Sequence, residues 1–146
     1  MHPTLIPCPM TSRRQWVQSN KMRLLLDTHI VLWWLLADKQ LPLLARKLVS
    51  DRGNTIFVSA VSIWEIRLKE SLGKLSVPAD FELRLNAESF EALPLTAKHA
   101  HAAGTLPWHH RDPFDRMLVA QAQVEKLQLL TADGVVGAYG SFVLVS

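Results

Sequence analysis

A chain of 146 residues, 49% hydrophobic and 20% charged, has room for one domain with a real core and is too apolar to be a disordered segment. Arg13, Arg14 and Lys21, in an amino-terminal stretch without acids, account for the whole net charge of +3; the rest is neutral, so no global field draws it to nucleic acid or membrane. A lone cysteine, Cys8, excludes an internal disulfide framework and a multi-cysteine zinc site, and no apolar run approaches the roughly 18 residues of a membrane span; we expect a cytoplasmic protein.

Residues 1–21 hold three prolines and no periodicity, and they lack the apolar stretch of a secretory signal. Met22 stands directly before the first strand. We therefore expect 1–21 to be a disordered or non-native leader and 22–146 to form a single domain. Leu24–Leu26, closed by Asp27, reads as a buried strand of a parallel sheet. Thr28 can cap a following helix through its hydroxyl, and Ile30, Val31, Trp33, Trp34 and Leu35 carry that helix to about Ala37. Pro42 begins a helix over Leu43–Val49, and Thr55–Val58 is a β-branched strand. Ser59 or Ser62 opens a helix over Ala60–Ser71, closed by Gly73. Pro78–Asp80 leads into a helix reaching about Ser89, and Phe90–Leu93 is a strand. Thr96–Ala103 is helical, Gly104–His110 is a loop, and Asp112 starts a long helix ending near Lys126. Leu127–Thr131 is a strand, Asp133-Gly134 turns out of it, and Phe142–Val145 is a last edge strand. Strands alternating with helices predict an α/β fold: a mostly parallel central sheet of four to five strands, flanked by helices and joined by right-handed crossovers.

Ligands collect at the carboxyl ends of parallel strands. Asp27 and Asp133 follow two such strands, Asp115 lies in the first turn of the long helix, and Glu65 sits among apolar neighbours on the helix after the second strand. Each has a plain structural explanation. Glu65 can pair with Lys69 at i+4, Asp115 can serve a capping box or the helix dipole, and Asp133-Gly134 can be a simple turn. Asp112, with Pro113 at the first helical position, reads as an N-cap. Asp27 is the hardest to explain away. If the four converge, like charges raise one another's pKa, and a divalent cation such as Mg²⁺ or Mn²⁺ relieves that cost. Such an ion activates water and orients a phosphodiester.

Arg116 and Arg111 could bind phosphate, with surface ion pairing as the alternative. His109 and His110 read as a solvated loop pair and His29 as a packed helix residue. Trp64 and Trp108 are expected in the core; Trp33 and Trp34 are either core or part of a partner groove. No Walker loop, dinucleotide fingerprint or nucleophile elbow is present.

Four segments, in this order and spacing, resemble the PIN-domain family, specifically VapC-type toxins: Leu25-Leu-Asp-Thr-His29, Val58-Ser-Ala-Val-Ser-Ile-Trp-Glu-Ile66, His110-Arg-Asp-Pro-Phe-Asp-Arg-Met-Leu-Val-Ala-Gln-Ala122 and Leu130-Thr-Ala-Asp133. The resemblance runs from Met22 to Ser146. It implies a PIN-like three-layer sandwich and a Mg²⁺- or Mn²⁺-dependent endoribonuclease. Asp27, Glu65, Asp115 and Asp133 match the family's acidic residues, and Thr131 a hydroxyl residue beside the last. Asp112 belongs to the local Asp-Pro-Phe-Asp pattern. Where many relatives have Asn two places after the first aspartate, this chain has His29. The resemblance also implies an RNA substrate, a homodimer and a cognate antitoxin whose tail lies in an apolar groove; Trp33, Trp34 and Leu43–Val49 are expected there. Three other readings stand beside it: a non-catalytic RNA- or protein-binding module, a solitary RNA-processing nuclease, and a phosphoryl-transfer enzyme with Asp27 as nucleophile. The last wants a second Asp where His29 stands.

Overall fold

The computed structural model describes residues 21–146. The expected leader over 1–21 lies, Lys21 apart, outside the described residues. Among these, five strands and six helices follow one another: β1 (Arg23–Leu26), α1 (Thr28–Leu35), α2 (Leu43–Ser50), β2 (Thr55–Ser59), α3 (Ala60–Ser71), α4 (Phe81–Ala87), β3 (Glu91–Leu93), α5 (Ala97–Gly104), α6 (Pro113–Glu125), β4 (Gln128–Thr131) and β5 (Val143–Val145). A 3₁₀ turn, Val136–Tyr139, lies between β4 and β5. The strands lie in the order β3-β2-β1-β4-β5, and every neighbouring pair is parallel.

β1 is the middle strand, which is why its leucines are unbroken by polar residues: both faces are covered. Leu24 and Leu26 enter one core with Ile56, Val58, Leu130, Ile30 of α1 and Phe81 of α4. Leu25 enters the other with Leu129, Val143, Leu118 and Val119 of α6. This two-residue alternation divides the helices between the faces and makes three layers. The three leucines are fully buried, each worth about 2 kcal/mol of removed apolar surface.

From β1 the chain moves outward through β2 to β3, then returns to place β4 and β5 on the other side of β1. The crevice outside the carboxyl ends of β1 and β4 is therefore the switch point of the sheet, the place where open parallel sheets bind ligands.

Several local expectations are corrected. Thr28 does not cap α1: Asp27 is the N-cap residue, without a side-chain cap bond, and the Thr28 hydroxyl is bonded elsewhere. Of the two serines that could open α3, Ser59 caps it, accepting from the Val61 N–H at 3.0 Å, and Ser62 lies within the helix. Gly73 takes φ +71° just beyond that helix, the left-handed conformation that suits glycine. His29 is exposed and lies against the Trp33 ring at 5.6 Å. Trp64 and Trp108 are 59% and 74% exposed rather than core. Trp64 meets Phe114 edge-on at the surface, and Trp108 covers the Arg116 guanidinium at 3.7 Å. Among the described residues, no helix is long and apolar enough to cross a membrane.

Candidate active site

Strand register brings the first two groups together. Leu26 pairs with Leu130, and the Asp27 N–H donates to the Leu130 carbonyl at 2.9 Å. The next residue, Thr131, is thereby set beside Asp27. Its hydroxyl donates to Asp27 Oδ2 at 2.6 Å and accepts from the Asp133 N–H at 3.0 Å. One hydroxyl thus ties the end of β1 to the turn after β4. Asp27 is only 5% exposed, and its other oxygen, Oδ1, is buried with no hydrogen-bond partner among the described residues. Burial pushes the Asp27 carboxyl above its ordinary value, and the Glu65 charge adds to this. The Thr131 hydrogen bond, His29 and the Thr28 backbone act the other way.

The start of α6 supplies the next group. Asp112 Oδ1 accepts from the N–H groups of Phe114 and Asp115 at 2.8 and 3.1 Å, with Pro113 opening the helix. That cap spends Asp112 and sets Asp115 in the first turn. The Asp115 carboxyl is pushed up from 3.8 to about 7, first by burial and then by the charges of Asp27 and Asp112; His110 opposes this and Glu65 adds a little. Asp133 meets the same cluster through His110, whose Nε2 lies 3.1 Å from Asp133 Oδ2 and 3.2 Å from Asp115 Oδ2. His110, Asp115 and Asp133 offer atoms all within 4.8 Å of one another. The reading of His110 as a solvated loop residue is therefore corrected. Its ring is folded back because the Asp112 N–H donates to Nδ1 at 3.0 Å. The signal was present in His110-Arg-Asp112, a histidine two residues before a helix cap.

Glu65 stands behind this group on the second turn of α3. It is 3% exposed. Oε1 accepts from the Thr28 hydroxyl at 2.7 Å, and Oε2 pairs with Lys69 at 2.6 Å. With its proton given to Glu65, the Thr28 oxygen accepts from the Ser62 hydroxyl at 3.0 Å. Thus the i+4 pair predicted as a solvated alternative exists, but with a buried carboxylate. The Glu65 hydrogen bond raises the Lys69 pKa, and the charges of Asp112 and Asp115 contribute, so the ion pair borders the acidic cluster.

Arg116 does not offer itself to phosphate. It is buried, and its guanidinium donates to the carbonyls of Pro107, Ala103 and Leu106 at 2.9, 3.0 and 3.2 Å and to Tyr139 Oη at 3.2 Å. Five fixed N–H groups suit a loop of inward-pointing carbonyls. Tyr139, on the 3₁₀ turn, in turn donates to the Pro107 carbonyl and accepts from the His110 N–H at 3.0 Å. Arg116 is a clamp on the loop that carries His110. Arg111 is exposed.

Trp33 and Trp34 are half-buried and open onto different clefts. Trp33 lines one of about 390 Å³ that Glu65 and Lys69 also line. Trp34 lines one of about 690 Å³ bounded by Asp51, Asn54 and Glu88. Of the expected groove residues, then, Trp33 adjoins the acids and Trp34 does not; Leu43 and Leu44 of α2 are exposed.

The donor set fits a hard divalent cation. Two carboxylates, Asp115 and Asp133, meet at His110, the charges of Asp27 and Glu65 are felt at Asp115, and one buried oxygen of Asp27 has no proton donor to satisfy it. A buried acceptor left in that state costs about 1–3 kcal/mol, which a cation would offset.

Comparison with known proteins bears on the family and the fold. The family model for the PIN domain matches residues 24–139. Ribonuclease VapC22 of Mycobacterium tuberculosis is 28% identical over 112 residues, covering 75% of this chain and 85% of that protein. Among solved structures, VapBC2 from Rickettsia felis bound to a DNA fragment from its promoter superposes with a TM-score of 0.62 at 17% identity, covering 86% of this chain and 98% of that one. A toxin–antitoxin complex from Klebsiella pneumoniae gives 0.58 at 18% identity, covering 83% and 95%. At those identities the two structures speak for the fold.

Proposed function

The chain belongs to the PIN-domain family, and from that premise we propose that it is a Mg²⁺- or Mn²⁺-dependent endoribonuclease, the toxin of a toxin–antitoxin pair acting in the cytoplasm. The observation that carries the proposal is the unpartnered Oδ1 of Asp27, buried among converging carboxylates. Asp27, Asp115 and Asp133 hold the cation, and Glu65 supports it from behind. A divalent cation there supplies Lewis acidity toward a phosphodiester and lowers the pKa of water. The chain's own residues do the arranging. Thr131 turns Asp27 so that Oδ2 is engaged and Oδ1 is left for the ion. Asp133, with 40% of its side chain exposed, stands at the mouth where RNA enters. Thr28 and Lys69 hold both oxygens of Glu65 and offset its charge.

The neutral charge balance beyond residue 21 agrees with recognition of RNA at the site itself rather than by a long-range field. The cleft beside Trp33 receives an apolar segment of the antitoxin, whose basic side chain reaches the acidic pocket. Two copies of the chain form a homodimer, which the mass in solution tests.

The deciding experiment is RNA cleavage by the purified protein with Mg²⁺ or Mn²⁺, with EDTA, and with Asp27→Asn. Cleavage is expected only for the wild type with metal, with unchanged circular dichroism in the variant. Full activity of Asp27→Asn refutes the assignment. A folded wild type that binds RNA or a protein but cleaves no RNA under any metal condition returns the chain to the binding-module reading. A small antitoxin-like reading frame beside the gene supports the toxin role; its absence favours a solitary processing nuclease.

A further inference from the structure

His110 has a defined proton as well as a defined place. A backbone N–H can only donate, so the bond from the Asp112 N–H to Nδ1 makes that nitrogen the acceptor. The proton of the neutral ring is therefore on Nε2, the nitrogen that faces Asp133 Oδ2 and Asp115 Oδ2 at 3.1 and 3.2 Å. A nitrogen carrying a proton has no lone pair for a metal. The residue is also held through its backbone: its N–H donates to Tyr139 Oη, and Tyr139 is fastened with Arg116 to the Pro107 carbonyl. The α6 cap thus fixes the ring, while the 3₁₀ turn and the clamped loop fix the backbone that carries it.

We propose that His110 is a positioning residue: its Nε2–H donates to Asp133 Oδ2 and holds it beside Asp115 Oδ2, which faces the same nitrogen at 3.2 Å, so that the two oxygens are pre-set for a divalent cation. His110 is a donor to the ligands and not itself a ligand. The inference rests on the proposed metal centre and refines it. Without the N–H, two like-charged carboxylates have no reason to turn toward each other, and the cation must bring them together itself. Outer partners of this kind are worth about 10- to 100-fold in metal affinity.

Glutamine and alanine separate a donor from a ligand. Gln places an amide N–H near the position of Nε2 and offers no nitrogen lone pair to a metal; Ala offers neither. Mn²⁺ affinity is measured by electron paramagnetic resonance for wild type, His110→Gln and His110→Ala, and nitrogen coupling to bound Mn²⁺ is read by electron spin-echo modulation. Unfolding midpoints in EDTA check that the folds are intact. The expected result is Mn²⁺ binding to the wild type without imidazole nitrogen coupling, a loss of about tenfold or more in His110→Ala, and recovery of most of it in His110→Gln. Nitrogen coupling in the wild type that disappears in His110→Gln makes His110 a ligand and overturns the donor role. Equal affinity in wild type and His110→Ala, or Gln no better than Ala, overturns the positioning role while the metal centre stands. Absence of Mn²⁺ binding to the wild type removes the metal centre and this inference with it.

Discussion

Neutralising Asp115 is expected to stabilise the metal-free protein while removing its response to metal. Its carboxyl is pushed from 3.8 to about 7 by burial and by the charges of Asp27 and Asp112. The native state therefore holds this proton more tightly than the unfolded chain does. Between pH 4 and pH 7 the unfolded chain has lost the proton and the native state has not, so this group's contribution to stability falls as pH rises and is fully unfavourable above about 7. At about 1.4 kcal/mol for each tenfold change in proton affinity, the full span is about 4 kcal/mol. Solvent reaches part of the side chain and its neighbours can relax, so we take about 2 kcal/mol as the working figure. Asp115→Asn, uncharged at every pH, escapes this penalty. Urea unfolding in EDTA should find the variant more stable by about 2 kcal/mol at pH 8 and by about a third of that at pH 5. Adding Mg²⁺ at about 100 times its Kd should stabilise the wild type by about 2.7 kcal/mol and the variant far less, so their order closes or reverses. A variant less stable than wild type in EDTA at pH 8, or a difference that does not change with pH, refutes the reasoning.

Two further substitutions test the supports of the site. Thr131→Val keeps the shape but removes the donor to Asp27 Oδ2 and the acceptor for the Asp133 N–H; calorimetric titration should show Mg²⁺ or Mn²⁺ affinity falling about 10- to 100-fold, and an unchanged Kd would remove Thr131 from the site. Arg116→Met removes the charged donor from three carbonyls and leaves that of Leu106 without it, while Pro107 keeps Tyr139 and Ala103 keeps the Leu106 N–H, so denaturant unfolding should show a loss of about 2 kcal/mol, with Arg116→Lys intermediate because an ammonium cannot span the fork. Stability within about 0.5 kcal/mol of wild type would show that the loop does not depend on the clamp.

The elements were legible from local signals. A compact leucine run, a β-branched strand, a Ser59 cap and the Asp112-Pro113 start of α6 each act within a few residues, and each is found where that chemistry places it. The alternation of strands and helices led correctly to a parallel sheet. Less legible were the tryptophans and Arg116. Trp64 and Trp108 look like core by hydrophobicity alone, yet α3 gives its inward face to Val61, Ser62, Glu65 and Ile66, and Trp108 is used to cover a cation. Arg116 sits one residue from Asp115 and looks available, but the helix carries it to a loop of carbonyls contributed by residues 103–107.

Asp27 shows the same division. The sequence by itself determined that an isolated carboxylate ends a buried strand, and that Asp115 and Asp133 stand at a helix start and a strand end, because strand and helix boundaries depend on neighbouring residues. Only the tertiary structure decided what surrounds them. The pairing of Leu26 with Leu130 brings the Thr131 hydroxyl to Asp27 across 104 positions of sequence, and a loop locked by Arg116 and Tyr139 delivers His110 to two aspartates. Burial, and with it the raised pKa of Asp27 and Asp115, is a property of the assembled layers: no residue's local context contains the low dielectric or the neighbouring charges that produce it.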